Sequence, residues 1–413
     1  IMIFYFPNQL VGFVYRISKV DSHDLVYAFI YTLTMYLTLF FYNVRISKKS
    51  VKIELREIKS DQISCLNKKK YRILITIGLI LLMVGLTSEL IIADSLGGIF
   101  KAVSMGDKLR AFGSDSSQYI PRNRLFLKIL MATPLASTYL FVYALRIYNR
   151  FTPKLLLFVS ILASVFFLTI NAGRLPILLY ILPFFLDLVF RKSKHPFILL
   201  AFFSLFILVI LGDLDNLFFY LSYGYVKESS TSIVSIINEF SFPYLNLLNV
   251  HKINEKYGLR WGLDFVTWII NVVPTSLLKV FGLSKVVTGY SFITEYYRSG
   301  NASGGIPTDF ITLLIRQFGP IGIIIGGLII TRLCKYMDRV IYRIYSKRYI
   351  FFTIRISLIM FTVVPYSDLD SFIRNRYDML IVYLVAVIFA NKYRESPVVG
   401  YLSKSFPKAF SRR

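Results

Sequence analysis

Residues 73–93 read ILITIGLILLMVGLTSELIIA, and this stretch decides the class of fold. It is as long as the run of roughly 20 apolar residues with which a helix crosses a bilayer. A single acidic residue, Glu89, interrupts it. Because backbone groups inside a lipid bilayer must pair within their own segment, the stretch predicts a membrane-spanning helix.

The rest of the chain has the same character. Its 413 residues are 55% hydrophobic and 16% aromatic, and the mean hydropathy is +0.59. Soluble domains are about 45–50% apolar, so this composition predicts an all-α polytopic integral membrane protein. The net charge of +25 sits in the joints between apolar runs. It therefore indicates membrane topology rather than nucleic-acid binding.

About ten transmembrane helices are predicted. The apolar runs cover roughly residues 2–15, 26–43, 73–93, 125–145, 155–171, 174–190, 197–212, 308–331, 350–364 and 377–391. The joints 45–72, 146–154, 191–196 and 332–349 are basic. Basic joints stay in the cytoplasm, so both termini are predicted to be cytoplasmic.

This topology divides the chain into four parts. Residues 1–212 hold about seven spans, residues 308–391 hold about three, and residues 392–413 form a basic cytoplasmic tail. Between them, residues 213–307 form one large external loop with seven basic and seven acidic side chains. Within the loop, the stretches 231–248 and 263–281 predict short amphipathic or re-entrant helices on the outer leaflet.

The external face carries a distinct set of arginines, which are Arg174, Arg298, Arg374 and Arg376. Positive residues are disfavoured in short external joints, so Arg174, Arg374 and Arg376 need an explanation. An arginine at a helix end can reach the lipid headgroups, which is the simplest reading of each one alone. Alternatively, several converging arginines would bind a phosphate-bearing ligand, because the guanidinium fork pairs with phosphate oxygens.

A fifth arginine, Arg316, falls inside an apolar run. An intramembrane charge indicates a functional site, although Arg316 could instead pair with Asp309 or Glu295 as a structural clamp. The external carboxylates Glu295, Asp309 and Glu239 are candidate general bases. Each of them alone is more often a solvated or paired residue.

The sequence predicts neither a metal nor a cofactor. Two D-x-D pairs, at residues 213–215 and 368–370, would suit a divalent metal, but this spacing is common by chance. The sequence contains no zinc-binding H-E-x-x-H, no phosphate-binding G-x-x-x-x-G-K-[ST] and no hydrolase G-x-S-x-G. A lipid-linked sugar transferase with an acidic metal site stays open as an alternative.

Three short stretches of this sequence are similar to those of a known protein family. Residues 304–310 (GGIPTDF) and 316–322 (RQFGPIG) run from the large loop into a glycine-rich span, and residues 171–174 read NAGR. With the ten-span layout and the single large late loop, the chain resembles the bacterial O-antigen polymerases, the Wzy class. The layout extends over nearly the whole chain, whereas the residue match is confined to these stretches.

The resemblance implies an enzyme of the bacterial inner membrane whose large loop faces the periplasm. Such polymerases transfer a growing polysaccharide from undecaprenyl diphosphate to a new lipid-linked repeat unit, without metal or cofactor. The implied diphosphate-binding residues are Arg174, Arg298, Arg316, Arg374 and Arg376, with Arg298 also placed among the catalytic residues beside Glu295 or Asp309 as the base. The implied partners are the undecaprenyl-diphosphate-linked oligosaccharide, membrane lipids and, by analogy, a separate chain-length regulator, but no nucleic acid.

Two further alternatives remain at this point. An O-antigen ligase would use the same lipid carrier, but ligases place an important histidine near the end of the large loop. This chain has only His251, well before that end. A flippase or transporter would need charges along several spans, and the intramembrane charges here are sparse.

Overall fold

The computed structural model is mostly helical in the part of the chain that it describes, with no strand in that part. The described residues are 21–47, 60–106, 119–121, 124, 126–171, 174–192, 198–199, 202, 213, 216–225, 242–273, 278, 280–298, 306–343, 354, 367 and 369–392. The predicted all-helical class is confirmed for these residues.

The helices fall into an N-terminal and a C-terminal series. The first comprises α1 (Ser22–Ser47), α2 (Ser60–Ser95), α3 (Ile99–Ser104), α4 (Leu127–Leu130), α5 (Thr133–Ile147), α6 (Phe151–Ile170) and α7 (Arg174–Lys192). The second comprises α8 (Phe242–Tyr257), α9 (Asp264–Val272), α10 (Gly289–Arg298), α11 (Phe310–Phe318), α12 (Ile321–Arg343) and α13 (Leu369–Lys392).

Four helices are long and apolar enough to cross a membrane. These are Ser22–Phe41, Lys68–Ser95, Leu127–Ile147 and Phe151–Ile170. They match four of the predicted spans. Shorter apolar helices at Pro176–Val189 and Tyr377–Ile388 coincide with two more. The run 2–15 and most of the runs 197–212 and 350–364 lie outside the described residues, so the total of ten stays a prediction.

The predicted span 308–331 is not one continuous helix. It is divided between α11 and α12, and Gly319 separates them with a φ of +65°. Glycine reaches this left-handed conformation without steric cost, and Pro320 after it cannot continue the α11 hydrogen bonding. Both α11 and α12 contact α1, and they pack against each other. Arg316 therefore lies near the end of a short helix rather than in the middle of a long one.

Helix α5 forms the centre of the N-terminal series and packs against α2, α6 and α13. Most of its side chains are buried. It approaches α2 closely at Gly85, where a side chain would collide with Pro134. At the other end of α5, Arg146 forms an ion pair with Asp187 of α7. These contacts make a packed helical body beside which the C-terminal series is built.

Three of the helices named above lie in the described parts of residues 213–307, the stretch predicted to form a large loop. They are α8, α9 and α10. Helix α8 packs on α1, α10 and α11, whereas α9 packs on α13. These three helices therefore pack on helices that precede and follow the stretch or on one another, and residues 254, 258 and 292 of the stretch lie beside Arg316.

Candidate anion-binding site

A buried polar seam runs between α8 and α11. We define it by Asn246 and Asn254 on α8 and by Asp309, Thr312 and Arg316 on or before α11. The last three are spaced by three and four residues, which places them on one face of a helix. All three are completely buried. Because α8 packs against α11, the seam lies between a helix of the predicted external loop and a helix of a predicted membrane span.

Asp309 lies at the end of the seam where α11 begins. It precedes α11 in an extended conformation, and its carboxylate accepts a hydrogen bond from the Thr312 backbone N–H at 3.2 Å. This is the standard geometry of a helix N-cap. The Asn246 amide reaches the same place from α8, donating to the Pro307 carbonyl at 2.8 Å and to Asp309 Oδ1 at 3.4 Å. Asp309 therefore orients α11.

Arg316 is the largest fully buried side chain among the described residues, with 0% exposure. Its Nη1 donates to Asn254 Oδ1 and, at 3.0 Å, to the Gly258 carbonyl. Its Nε and Nη2 find no acceptor among the described residues. No described carboxylate lies within ion-pair distance of Arg316, so the expected alternative pairing with Asp309 or Glu295 does not form.

Further polar atoms along this interface lack a described partner. They are the side-chain oxygens of Asn246, Thr308 and Thr312. Buried polar groups in folded proteins are nearly always hydrogen-bonded. Together with the two nitrogens of Arg316, these oxygens offer both donors and acceptors. The seam thus has the chemistry to hold a ligand that combines negative charge with hydroxyl groups.

A separate, satisfied network supports the end of α11. The Asp264 carboxylate accepts hydrogen bonds from Arg260 Nε at 2.7 Å, from Gln317 Nε2 at 2.6 Å and from the Gly289 backbone N–H at 3.1 Å. Two backbone bonds add to it: the N–H of Arg260 donates to the Arg316 carbonyl, and that of Trp261 to the Gln317 carbonyl. This network holds the segment after α8 against α11.

Two guanidinium groups and one carboxylate lie close together beside the seam. The guanidinium groups of Arg260 and Arg316 lie over the ring of Phe292, at 5.1 and 5.9 Å from its centre. Only one carboxylate, Asp264, takes part in the described hydrogen bonds of this group, and it pairs with Arg260. Among the described residues, no carboxylate forms an ion pair with Arg316 itself. A buried uncompensated cation is costly, and an anionic ligand would remove that cost.

The other predicted site residues are only partly described. Arg174 begins α7, Arg298 ends α10, and Arg374 and Arg376 lie in α13. Their side chains lie outside the described part of the chain, so the predicted convergence of arginines stays a prediction. Glu295 is exposed on α10, one turn beyond Phe292.

The candidate metal pairs are also only partly described. Asp213 is helical, whereas Asp215 and Asp368 are not described, and only the backbone of Asp370 is. Among the described residues, no group of three or more metal-binding side chains comes together.

No sequence pattern indicated a role in the site for five of its residues, which are Asn246, Asn254, Arg260, Asp264 and Gln317. The spacing of Asp309, Thr312 and Arg316 on one face of an apolar helix was a readable signal for the α11 half of the seam. No comparable signal exists for α8, because its asparagines matter only through their contact with a helix some 60 residues away.

Beside the seam, a charged cluster ties α8 to α1. The Asp24 carboxylate, buried near the start of α1, pairs with Lys252 Nζ at 2.6 Å and with His251 Nε2 at 3.2 Å. The imidazole ring also packs on Tyr27, with 4.9 Å between ring centres. The hydrogen bond to Asp24 raises the pKa of Lys252 above the ordinary 10.5. This contribution to stability is therefore complete at neutral pH and is lost only as the pH rises above 10.5.

We expect Asp24→Ala to weaken the attachment of α8 to α1. The change removes both bonds of the carboxylate and should cost about 1–3 kcal/mol of unfolding free energy. Lys252→Ala should cost less than about 1 kcal/mol, because Lys252 is partly exposed. Thermal unfolding of the purified full chain in detergent measures both. Glu255→Ala, at an exposed carboxylate of α8, is the matched control. Equal melting temperatures for Asp24→Ala and Glu255→Ala would show that the charged cluster does not attach α8 to α1.

Comparison of this chain with protein-family models, with curated proteins and with solved structures finds no match. Function is therefore proposed from the sequence resemblance given above together with the geometry of the seam. That geometry combines a completely buried arginine with a row of hydrogen-bonding groups between two helices. Such a set of groups suits recognition of an anion that also carries hydroxyls or other polar groups.

Proposed function

We propose that this protein polymerises O-antigen, or a related surface polysaccharide, at the outer face of the bacterial inner membrane. The donor is the growing glycan on undecaprenyl diphosphate, and the acceptor is a new lipid-linked repeat unit. The observation that carries the proposal is Arg316, which is fully buried and has neither a carboxylate partner nor an acceptor for two of its nitrogens among the described residues. A membrane-embedded diphosphate is an anion that would fill this arrangement.

In the proposed reaction, a hydroxyl oxygen of the acceptor sugar bonds to the anomeric carbon of the donor. The bond between that carbon and the diphosphate oxygen breaks, and the diphosphate leaves with the electron pair. Arg316 would stabilise the charge that develops on the leaving oxygen, because its position is already fixed by Asn254 and Gly258. Fixed donors aimed at developing charge are an effective form of catalysis.

The hydroxyl proton needs an acceptor, and the two candidate carboxylates differ in their surroundings. Asp309 is completely buried and caps α11, so we assign it a positioning role. Glu295 is exposed on α10, the helix whose Phe292 contacts both arginines. We therefore favour Glu295 as the general base, and we keep Arg174, Arg298, Arg374 and Arg376 as further diphosphate contacts.

The first test is the lipopolysaccharide ladder of a strain that lacks this protein. We expect the ladder to collapse to core plus one repeat unit, and a plasmid copy of the full chain to restore it. If no repeat unit reaches the core, a ligase or flippase role replaces the polymerase. If the ladder is unchanged, O-antigen assembly is the wrong process.

A further inference from the structure

Helix α9 is amphipathic, but its polar face is buried and its apolar face is exposed. This is the reverse of a helix on the surface of a soluble protein. Its polar residues Asp264, Thr267 and Asn271 are buried, and their spacing of three and four residues places them on one face. Phe265 and Ile269 on the other side are exposed, as is Val266 at 62%. In water, burial of apolar area would favour the reverse orientation.

Hydrogen bonds fix this orientation. Asp264 accepts three bonds from Arg260, Gln317 and Gly289. Asn271 pairs with both backbone groups of Val286, donating to its carbonyl at 3.0 Å and accepting from its N–H at 2.9 Å. The polar face is therefore occupied by the protein itself, and α9 cannot roll over without breaking these bonds. Its outer face stays apolar.

Described residues before and after α9 expose further large apolar side chains. We call this surface the outer patch. It comprises Trp261, Leu263, Phe265, Val266, Ile269, Val280, Phe281, Leu283 and Val287, all of them exposed. The Arg260 side chain donates to the Val287 carbonyl at 2.7 Å, which joins the two ends of the patch. Soluble surfaces rarely expose so many large apolar residues together.

Trp261 adds an independent observation. Its φ is +51°, and it is the one described residue other than glycine with a positive φ. A side chain in this conformation strains the backbone. Its indole is 74% exposed, so packing within the protein does not offset the strain. Tryptophan is, however, the residue that favours the boundary between lipid and water.

We propose that the outer patch lies among the acyl chains of the membrane leaflet on this side of the protein. The exposed faces of the candidate spans have the same composition; Phe158 of α6, for example, is 61% exposed. Helix α9 also packs on α13, which contains the apolar segment Tyr377–Ile388. The patch thus continues a surface that already suits lipid.

This placement has a consequence for the seam. Trp261 is bonded through its backbone to Gln317, and Arg260 to Arg316. A lipid-embedded Trp261 would hold Arg316 close to the level of the headgroups, where the diphosphate of a lipid carrier lies. The match between Arg316 and the diphosphate of a lipid carrier rests on the proposed function. The contact of the outer patch with lipid does not, and it can be measured without substrate.

The chain contains two tryptophans, Trp261 and Trp268, so Trp268→Phe leaves Trp261 as the single reporter. The full chain is reconstituted in phosphatidylcholine vesicles whose acyl chains carry bromine at one of several depths. We expect at least one brominated lipid to remove more than half of the Trp261 fluorescence. Aqueous iodide should remove little of it.

A positive control places the reporter on a candidate span, by adding Phe158→Trp to a chain with both native tryptophans changed to phenylalanine. Quenching of Trp261 by iodide and not by bromine would show that the patch faces water and would overturn the proposal. Quenching by neither would show that protein covers the patch, such as a second copy, and would overturn it too. If Trp268→Phe fails to fold, Trp268→Tyr takes its place.

Discussion

Arg316→Ala should abolish polymer growth, with a fall in transfer rate of about 10²–10³-fold, which is the usual cost of losing one fixed donor to developing charge. The physical reason is that Arg316 supplies the only described cationic nitrogens of the seam that remain unfilled. The rate is measured as elongation of a lipid-linked repeat unit by purified protein in vesicles. The lipopolysaccharide ladder gives the same answer in cells.

Arg316 also bonds to Asn254 and Gly258, so a loss of activity could reflect a loss of structure. Arg316→Lys separates the two explanations, because it keeps the charge but not the planar fork. We expect Arg316→Lys to melt within a few degrees of the wild type and to retain only a small part of the activity. Inorganic pyrophosphate should raise the melting temperature of the wild type and not that of Arg316→Ala.

Arg124→Ala is the matched control. Arg124 Nη1 donates to Ser95 at 2.7 Å and lies 3.5 Å from Asp94 Oδ2, so this arginine, unlike Arg316, has a carboxylate beside it. Its loss should leave the ladder intact. A folded Arg316→Ala protein with a full ladder would show that the seam is not the diphosphate site, even if the protein is the polymerase.

The second large effect is expected at Gly322, where α12 lies directly against the backbone of α11. A Cβ at this position would overlap the backbone carbonyl oxygen of Leu314 and lie 3.2 Å from Phe318 Cβ. A backbone atom cannot move aside as a flexible side chain can. We therefore expect Gly322→Ala to cost about 3 kcal/mol, at the upper end of the range for overpacking. Thermal unfolding of the purified chain in detergent measures the loss.

Gly326 provides a graded comparison on the same face of α12. A Cβ there would collide with the side-chain carbons of Leu314 rather than with its backbone. Leu314→Ala should therefore rescue Gly326→Ala in part, but it should not rescue Gly322→Ala. Ile324→Ala, at an exposed position between the two glycines, controls for a general effect on α12. Rescue of both glycine variants by Leu314→Ala would contradict the backbone collision.

How much of this fold was predictable is clearest for the N-terminal series. The apolar runs 26–43, 73–93, 125–145 and 155–171 reappear as the four helices that could cross a membrane. Hydropathy finds such helices because each one is apolar along its whole length. The break at Gly319 was not predicted. The surrounding run is apolar on both sides, and a change of φ leaves no trace in hydropathy, although Gly319-Pro320 was a readable stop signal.

The candidate site, too, was only partly predictable from the sequence. Arg316 was singled out from the sequence because a charge inside an apolar run is conspicuous. Its partners were not, because Asn254 and Gly258 meet it only after α8 folds onto α11. The expected amphipathic character of residues 263–281 is seen in α9. Which face of α9 turns inward depends on the bonds that Asp264 and Asn271 make with distant segments.

The sequence by itself determined that this protein is helical and has helices suited to a membrane, because these properties depend on local composition. Only the tertiary structure decided that Arg316 is buried without a described counter-ion, that Asp309 caps a helix, and that α9 presents its apolar face outward. The physical reason is that burial and charge compensation are properties of pairs of segments. Residues far apart in the chain must come into contact before either property exists.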